Sequence, residues 1–392
     1  MSNKRVLLYV QHLLGVGHLK RAATLADAMT SIGLEVTLVS GGSVVPGMVL
    51  HASRVVQLPP ASAADLSFKT LVDADGRPVD EVWKQKRRDL LLDVWRETDP
   101  HALVLELFPF GRRQMRFELL PLLDAAIGAP HRPVIVSSVR DVLGGGQKDP
   151  ARQDRMLELF EAYFDHLLVH GDSSLIPFDR TFAQATRISA KLHYTGYVVD
   201  RAPPATTPST AVHDQVLVSV GGGAVGRKLL ETAILARPLS TLAYHPWRLL
   251  AGANVSEAEL ADLRVLADAA NSGGGITVER NRSDFPVLLA NCRLSISQGG
   301  YNTVMDIVRT GARAVVVPFA GGAEVEQTLR ARLLAERGWI DMLEEAHLTP
   351  HALAKVIDRA LQRTPSATSA VRLDGAQNSA RLLAQWTSEL MW

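Results

Sequence analysis

Short, continuous apolar runs alternate along the chain with longer stretches in which apolar residues recur every third or fourth position. The first kind predicts buried strands and the second amphipathic helices. Strands are expected at residues 5–10, 35–40, 54–58, 102–107, 133–137, 166–169 and 193–198, then at 216–220, 248–251, 276–279, 294–297 and 314–318. Helices are expected at 19–31, 80–97, 226–236, 350–362 and 374–390, with helix-length segments between most remaining strands. Residues 61–79 read as a long excursion. Strands joined through helices pair in parallel by right-handed crossovers. Several of them end in glycine turns: Gly15-Val16-Gly17, Gly221-Gly222-Gly223 and Gln298-Gly299-Gly300. Such turns lie on the carboxyl edge of an α/β sheet, where ligands bind.

The pattern breaks once, at 201–212, where proline, threonine and small residues dominate. That composition marks a linker. A chain of 392 residues also exceeds one ordinary core. The expected fold class is therefore α/β, with two doubly wound, Rossmann-like domains, 1–200 and 213–373, facing across a cleft. A terminal helix in 374–392 is expected to cross back to the first domain. With a net charge of +1, wholesale electrostatic binding to nucleic acid is not indicated. The single cysteine, Cys292, leaves no intramolecular disulfide and fits a reducing cytosolic setting. The basic, apolar start reads as a first strand and not as a secretory leader, and no apolar run has the length to span a bilayer.

Candidate chemistry starts from what the glycine turns are not. Lys20 stands where GxGxxG needs its third glycine, the second strand ends without an acidic residue, and no GxxxxGK[ST] loop is present. A nicotinamide cofactor or ATP is thus disfavoured, and a phosphate-bearing ligand held by backbone N–H groups is favoured. His18 follows the first turn at a predicted helix start. There the helix dipole favours the neutral imidazole, which can take a proton from a hydroxyl. The bland alternative is a capping or packing histidine. In Phe108-Pro109-Phe110-Gly111-Arg112-Arg113, the arginines suit a phosphate or carboxylate and exposed phenylalanines would suit a lipid or aglycone. Arg140-Asp141 and His170-Gly171-Asp172 end strands in the same half and are further acceptor-side candidates. Lys84, Lys86, Arg87 and Arg88 read as a solvated helix face, and Asp73-Ala74-Asp75, despite its metal-binding spelling, as a polar turn.

Gly17-His18 after the first strand, the mid-chain linker, and Gln298-Gly299-Gly300-Tyr301-Asn302-Thr303 with Asp306, Pro318-Phe319 and Glu326-Gln327 together resemble the GT-B glycosyltransferases. Within them the chain is similar to the family 28, MurG-like branch, and to bacterial glycosyltransferase-like proteins sharing the stretch from Glu106 to Arg112. The resemblance implies a metal-independent, inverting transfer from a nucleotide-diphosphate sugar, by default UDP-linked, to an acceptor hydroxyl, with no cofactor and no metal. It implies His18 as general base. It places the donor on the second domain, with Gly221, Gly222, Gly223, Gln298, Gly299, Gly300, Asn302 and Thr303 at the diphosphate. Asn281 and Arg282 would flank the base, Asp306 would hold the ribose, and Glu326 and Gln327 would meet the sugar. The acceptor, a small molecule or a lipid-linked one, would lie on the first domain near Gly15, Gly17, Phe110, Arg112, Arg140 and Asp141. Cytoplasmic placement follows, with peripheral contact at the inner face of the plasma membrane if the acceptor is lipid-linked. The same architecture is compatible with a nucleotide-sugar hydrolase, an epimerase or a non-catalytic sugar-nucleotide binder.

Overall fold

In the computed structural model the described residues are 4–13, 16–64, 70–143, 149–199, 214–221, 226–252, 255–270, 275–282, 284–319, 326–363 and 371–390. They divide into two compact units: Met1–Asp200 with Arg372–Trp392, and Arg201–Val371. The expected linker, 201–212, lies outside the described residues.

The first unit opens with β1 (Arg5–Val10), α1 (Gly17–Ser31), β2 (Glu35–Ser40) and β3 (Arg54–Gln57). A small antiparallel pair, β4 (Ser62–Ala63) and β5 (Leu71–Val72), occupies the excursion. There follow α2 (Glu81–Thr98), β6 (Ala102–Glu106), α3 (Arg116–Ile127), β7 (Val134–Arg140), α4 (Pro150–Tyr163), β8 (His166–His170) and β9 (Leu192–Tyr194). The seven-stranded sheet runs β3-β2-β1-β6-β7-β8-β9, and its pairs are parallel.

The second unit contains β10 (Val216–Ser219), α5 (Arg227–Ala236), β11 (Trp247–Ala251), α6 (Glu257–Ala269), β12 (Ile276–Arg280), α7 (Phe285–Asn291) and β13 (Leu294–Gln298). It continues through α8 (Tyr301–Thr310), β14 (Ala314–Val317), α9 (Glu326–Glu336), β15 (Asp341–Met342) and α10 (Pro350–Gln362). Its six-stranded parallel sheet is ordered β12-β11-β10-β13-β14-β15. The last helix, α11 (Gly375–Glu389), belongs to the first unit.

The two-residue period of β1 explains why its run is apolar throughout. Leu7 and Tyr9 enter a core with Leu91 of α2, Leu119 of α3 and Phe160 of α4. Val6, Leu8 and Val10 point the other way, into a core shared with Leu25 of α1 and with Ala380, Leu383 and Trp386 of α11. Both faces of the sheet are thus covered. Trp386 also stacks on His166, with ring centroids 3.8 Å apart and planes 8° from parallel.

Two expectations are corrected. The strand expected at 193–198 stops at Tyr194, because Gly196 has a left-handed φ of 92° and the backbone then meets the returning terminal segment: Tyr197 N donates to Arg372 O at 2.7 Å. The supposedly solvated Arg87 is fully buried. It donates to Glu118 Oε2 at 2.6 Å, to Gln11 Oε1 at 2.6 Å and to Gly41 O at 2.8 Å, bracing the ends of β1 and β2 from below. The segment 73–77 is a turn closed by Gly76 N donating to Asp73 O at 3.1 Å.

Candidate functional site

Each sheet reverses its strand order at one place, between β1 and β6 in the first unit and between β10 and β13 in the second. The crevice beyond such a reversal is the binding place of doubly wound folds. The predicted site residues fall largely at these two places.

In the first unit α1 begins at Gly17, so His18 sits in its first turn. Glu106 closes the all-buried β6 directly beside β1. His18 Nδ1 lies 2.7 Å from Glu106 Oε1, and Arg21, one turn further along α1, ion-pairs with the same oxygen. The carboxylate can only accept, so Nδ1 carries the imidazole proton and Nε2 keeps its lone pair. The 3.3 Å approach of Arg21 Nη2 to Nδ1 is then mere proximity, its proton being directed at Glu106. Glu106 is completely buried, whereas the His18 side chain keeps 22% of its surface exposed. Burial, with the Arg112 and Arg140 cations, outweighs Glu106 and holds the His18 pKa at about 3. The ring is therefore neutral, as the sequence suggested, although burial is the leading cause. Glu106, despite its burial, is held below the usual carboxylate range by His18, Arg21 and Arg112.

The surrounding residues divide sharply. Arg112 donates from Nε to Gln11 O at 2.7 Å, just beyond β1. Arg140, at the end of β7, lies against Gly17, where an added Cβ would come within 2.9 Å of its Nη2. Both join the His18 cluster. Phe110 does not: it is 1% exposed, packed on Phe160, Phe178 and Phe182, and Phe108 is equally buried. The expected exposed pair is hydrophobic core. Asp141 is also fully buried, accepting from Tyr197 Oη at 2.7 Å and from Val142 N at 2.9 Å, so its carboxylate serves the fold. His170, fully buried, lies 2.7 Å from Ser138 Oγ and 3.0 Å from Thr195 Oγ1. Gly15 lies outside the described residues.

Between its buried phenylalanines the loop after β6 takes an uncommon path. Leu107 and Arg112 have φ of 66° and 56°, left-handed values that cost a non-glycine residue on the order of 1 kcal/mol. A side chain at Gly111 between them would force the Leu107 side chain to move, since its Cβ would come within 2.8 Å of it.

In the second unit Gly221 follows β10 with φ 69°, while Gly222 and Gly223 lie outside the described residues. Gln298 ends β13 and Gly300 precedes α8, which no side chain caps among the described residues. Backbone and helix start together make an electropositive edge. Asn302 and Thr303 occupy the first turn of α8, half-buried. Asp306, one turn on, is paired with Arg309 at 2.7 Å. Gln327 Oε1 accepts from Phe319 N at 3.1 Å and packs under Gly299, while Glu326 pairs with Arg330 at 3.1 Å. Asn281 and Arg282 are exposed after β12, with Arg282 forked onto Asp284 through two contacts of 2.7 Å.

Glu106 and Arg21 were missed as site residues in the sequence. The available signal was an acidic residue closing an otherwise apolar strand, a place where a carboxylate is buried and must be paired.

Two doubly wound parallel units with these crevices define a GT-B fold. The likeness to solved structures agrees: a kitacinnamycin glycotransferase (TM-score 0.66, 15% identity, both chains covered fully) and MurG of Acinetobacter baumannii (TM-score 0.63, 15% identity, 97% of this chain and 99% of that one). Residues 268–385 match the glycosyltransferase family 28 C-terminal domain. The UDP-N-acetylglucosamine--N-acetylmuramyl-(pentapeptide) pyrophosphoryl-undecaprenol N-acetylglucosamine transferase of Brucella melitensis biotype 2 (strain ATCC 23457) is 28% identical over 204 residues, 50% of this chain and 53% of that protein. The chain spans about half the length of the curated relatives it matches. The second unit is thus similar to the family 28 C-terminal domain, and the chain shares its fold with GT-B glycosyltransferases and a distant likeness with MurG-like transferases.

Proposed function

We propose that the chain transfers a glycosyl group from a nucleotide-diphosphate sugar, by default UDP-linked, to an acceptor hydroxyl with inversion. In this reading the second unit holds the donor and the first supplies the base. The observation that carries it is the His18–Glu106 pair at the strand-order reversal of the first sheet: a neutral imidazole whose Nδ1–H is held by a buried carboxylate, leaving Nε2 to accept. The acceptor oxygen attacks the anomeric carbon and its proton passes to Nε2. The bond from that carbon to the diphosphate breaks, and its electron pair leaves with the nucleoside diphosphate. Glu106 stabilises the imidazolium as it forms. Gly221 after β10, the turn Gly299-Gly300 after β13 and the start of α8 would offer backbone donors to the departing diphosphate, the kind of preorganised stabilisation that needs no metal. Gly221, Gly299, Gly300, Asn302 and Thr303 would meet the diphosphate, Asp306 the ribose, and Glu326 and Gln327 the sugar.

His18→Ala tests the reading. Turnover is expected to fall about 10²- to 10⁴-fold, while the dissociation constant for UDP or a UDP-sugar, measured by calorimetry, stays near the wild-type value. Full transfer activity in this variant would remove His18 as the base. Turnover should also survive a chelator, and its loss on chelation would argue against a metal-free transfer.

A further inference from the structure

Arg330 is fully buried within the second unit, on α9 among the buried Ala331 and Leu334. Desolvating a guanidinium is costly, and an apolar side chain of the same size is often as stable or more so in such a place. The charge is explained by what it holds in position.

Two contacts define that. The guanidinium lies over the Tyr301 ring, 5.0 Å from its centroid, and pairs with Glu326, one turn back on α9, at 3.1 Å. Tyr301 is the first residue of α8, directly after the turn Gln298-Gly299-Gly300, and Glu326 is the first residue of α9. Arg330 thus ties together the starts of the two helices that follow the neighbouring strands β13 and β14. A flat aromatic face fixes the plane of the guanidinium, and the carboxylate follows that plane. Gln327 is held by another device, its Oε1 accepting from Phe319 N at 3.1 Å. The Glu326 side chain keeps 13% of its surface exposed and Arg330 none, so a ligand can reach the carboxylate but not the cation.

We infer that Arg330 is a positioning residue of the donor-sugar subsite: stacked on Tyr301, it sets the orientation in which the Glu326 carboxylate receives the sugar hydroxyls. This rests on the reading of the second unit as the donor half. An ionised carboxylate only accepts, so it meets the hydroxyl donors of the sugar and leaves the nucleotide to other groups. Loss of the clamp should therefore weaken the hold on the sugar and spare that on the nucleoside diphosphate.

Dissociation constants of the full chain for UDP, UDP-glucose and UDP-N-acetylglucosamine are measured by calorimetry, well below the melting temperature of every variant. The readout is the constant for the UDP-sugar that the wild type binds more tightly, divided by the constant for UDP. A purely structural role would weaken both together and leave this ratio unchanged. In Arg330→Met the ratio should rise about tenfold, the worth of one charge-assisted hydrogen bond. Arg330→Lys, which keeps the charge, should recover part of the loss. In a Glu326→Ala chain, adding Arg330→Met should leave the ratio where Glu326→Ala alone puts it, because no carboxylate remains to orient. If Arg330→Met does not fold, Tyr301→Leu removes the platform while keeping the ion pair, and the ratio should rise there too. An unchanged ratio in the folded variant, or an equal rise with Glu326 absent, overturns the inference. If UDP binds the wild type and neither UDP-sugar does, the inference also falls, while the second unit keeps its nucleotide. If UDP itself does not bind, the donor reading fails on its own account and takes the inference with it.

Discussion

A histidine becomes a base by what lies on its other nitrogen. Glu106 fixes the His18 tautomer and is itself held by Arg21, so the two side chains act as one unit. Glu106→Gln keeps the shape but lets the ring turn over its proton. Transfer should drop about 10²-fold, and because buried Arg21 would lose its charge partner, stability should drop by about 3 kcal/mol. Steady-state rates and denaturant unfolding read these separately. The depressed His18 pKa, about 3 against an ordinary 6.5, also sets a pH profile. The base form persists as pH falls through the range where an ordinary histidine would protonate. The acid limb of kcat/KM, taken over the pH range in which the enzyme stays folded, should therefore lie well below 6.5. A limb centred on 6.5 would mean that the titrating group is not this one. In the sequence His18 was legible through its place after a glycine turn. Its partner was not, because eighty-odd residues of chain separate two positions that only the β1–β6 pairing makes adjacent.

Among the elements, α2 and α11 show how a helical pattern can be read correctly and its faces wrongly. The span of α2 was expected almost to the residue, with Asp80 accepting from Trp83 N at 2.7 Å as its cap. Arg87, however, lies on the buried face. A lone arginine in a basic run carries no mark of its tertiary partner, and Glu118 comes from α3. Arg87→Met alone should cost about 3 kcal/mol or more by leaving the Glu118 carboxylate buried without its cation, although the Tyr9 hydroxyl still donates to it, whereas Arg87→Met with Glu118→Leu should recover a large part of it. Urea unfolding of the single and double variants reads the difference, and equal losses would refute a coupled pair. For α11, removing the indole that stacks on His166 should cost about 3 kcal/mol, as large-to-small changes in a core do. A Trp386→Ala chain as stable as the wild type would mean that α11 contributes little to the first unit.

Across the whole molecule, burial depresses several histidines together. His18 and His170 lie near 3, and His101 and His166 near 4, all against 6.5 when unperturbed. Between those values and 6.5 the unfolded chain binds more protons than the folded one. Stability from these groups is thus complete above 6.5 and is lost as pH falls toward 4 and below. The melting temperature should decline over this interval, and His170→Gln should decline less steeply. A flat profile down to pH 5 would contradict the burial of these rings. The two glycine-edged sheets were legible at this scale because fully covered parallel strands must be apolar throughout. Strand ends were less so: β7 runs to Arg140, past the apolar residues that announced it.

The sequence by itself determined the alternation of strand and helix, the two-part layout and the positions of the glycine turns. Each follows from local rules: apolar periodicity, backbone freedom and the sterics of parallel crossover. Tertiary structure alone decided which polar side chains are buried and with whom. It set Glu106 against His18, took Phe110 and Asp141 into the fold, and tied Arg112 to the backbone just beyond β1. A charged or aromatic residue at a strand end has the same local character whether it packs or faces a ligand. Its fate depends on distant residues brought alongside by sheet order, which no short stretch of sequence contains.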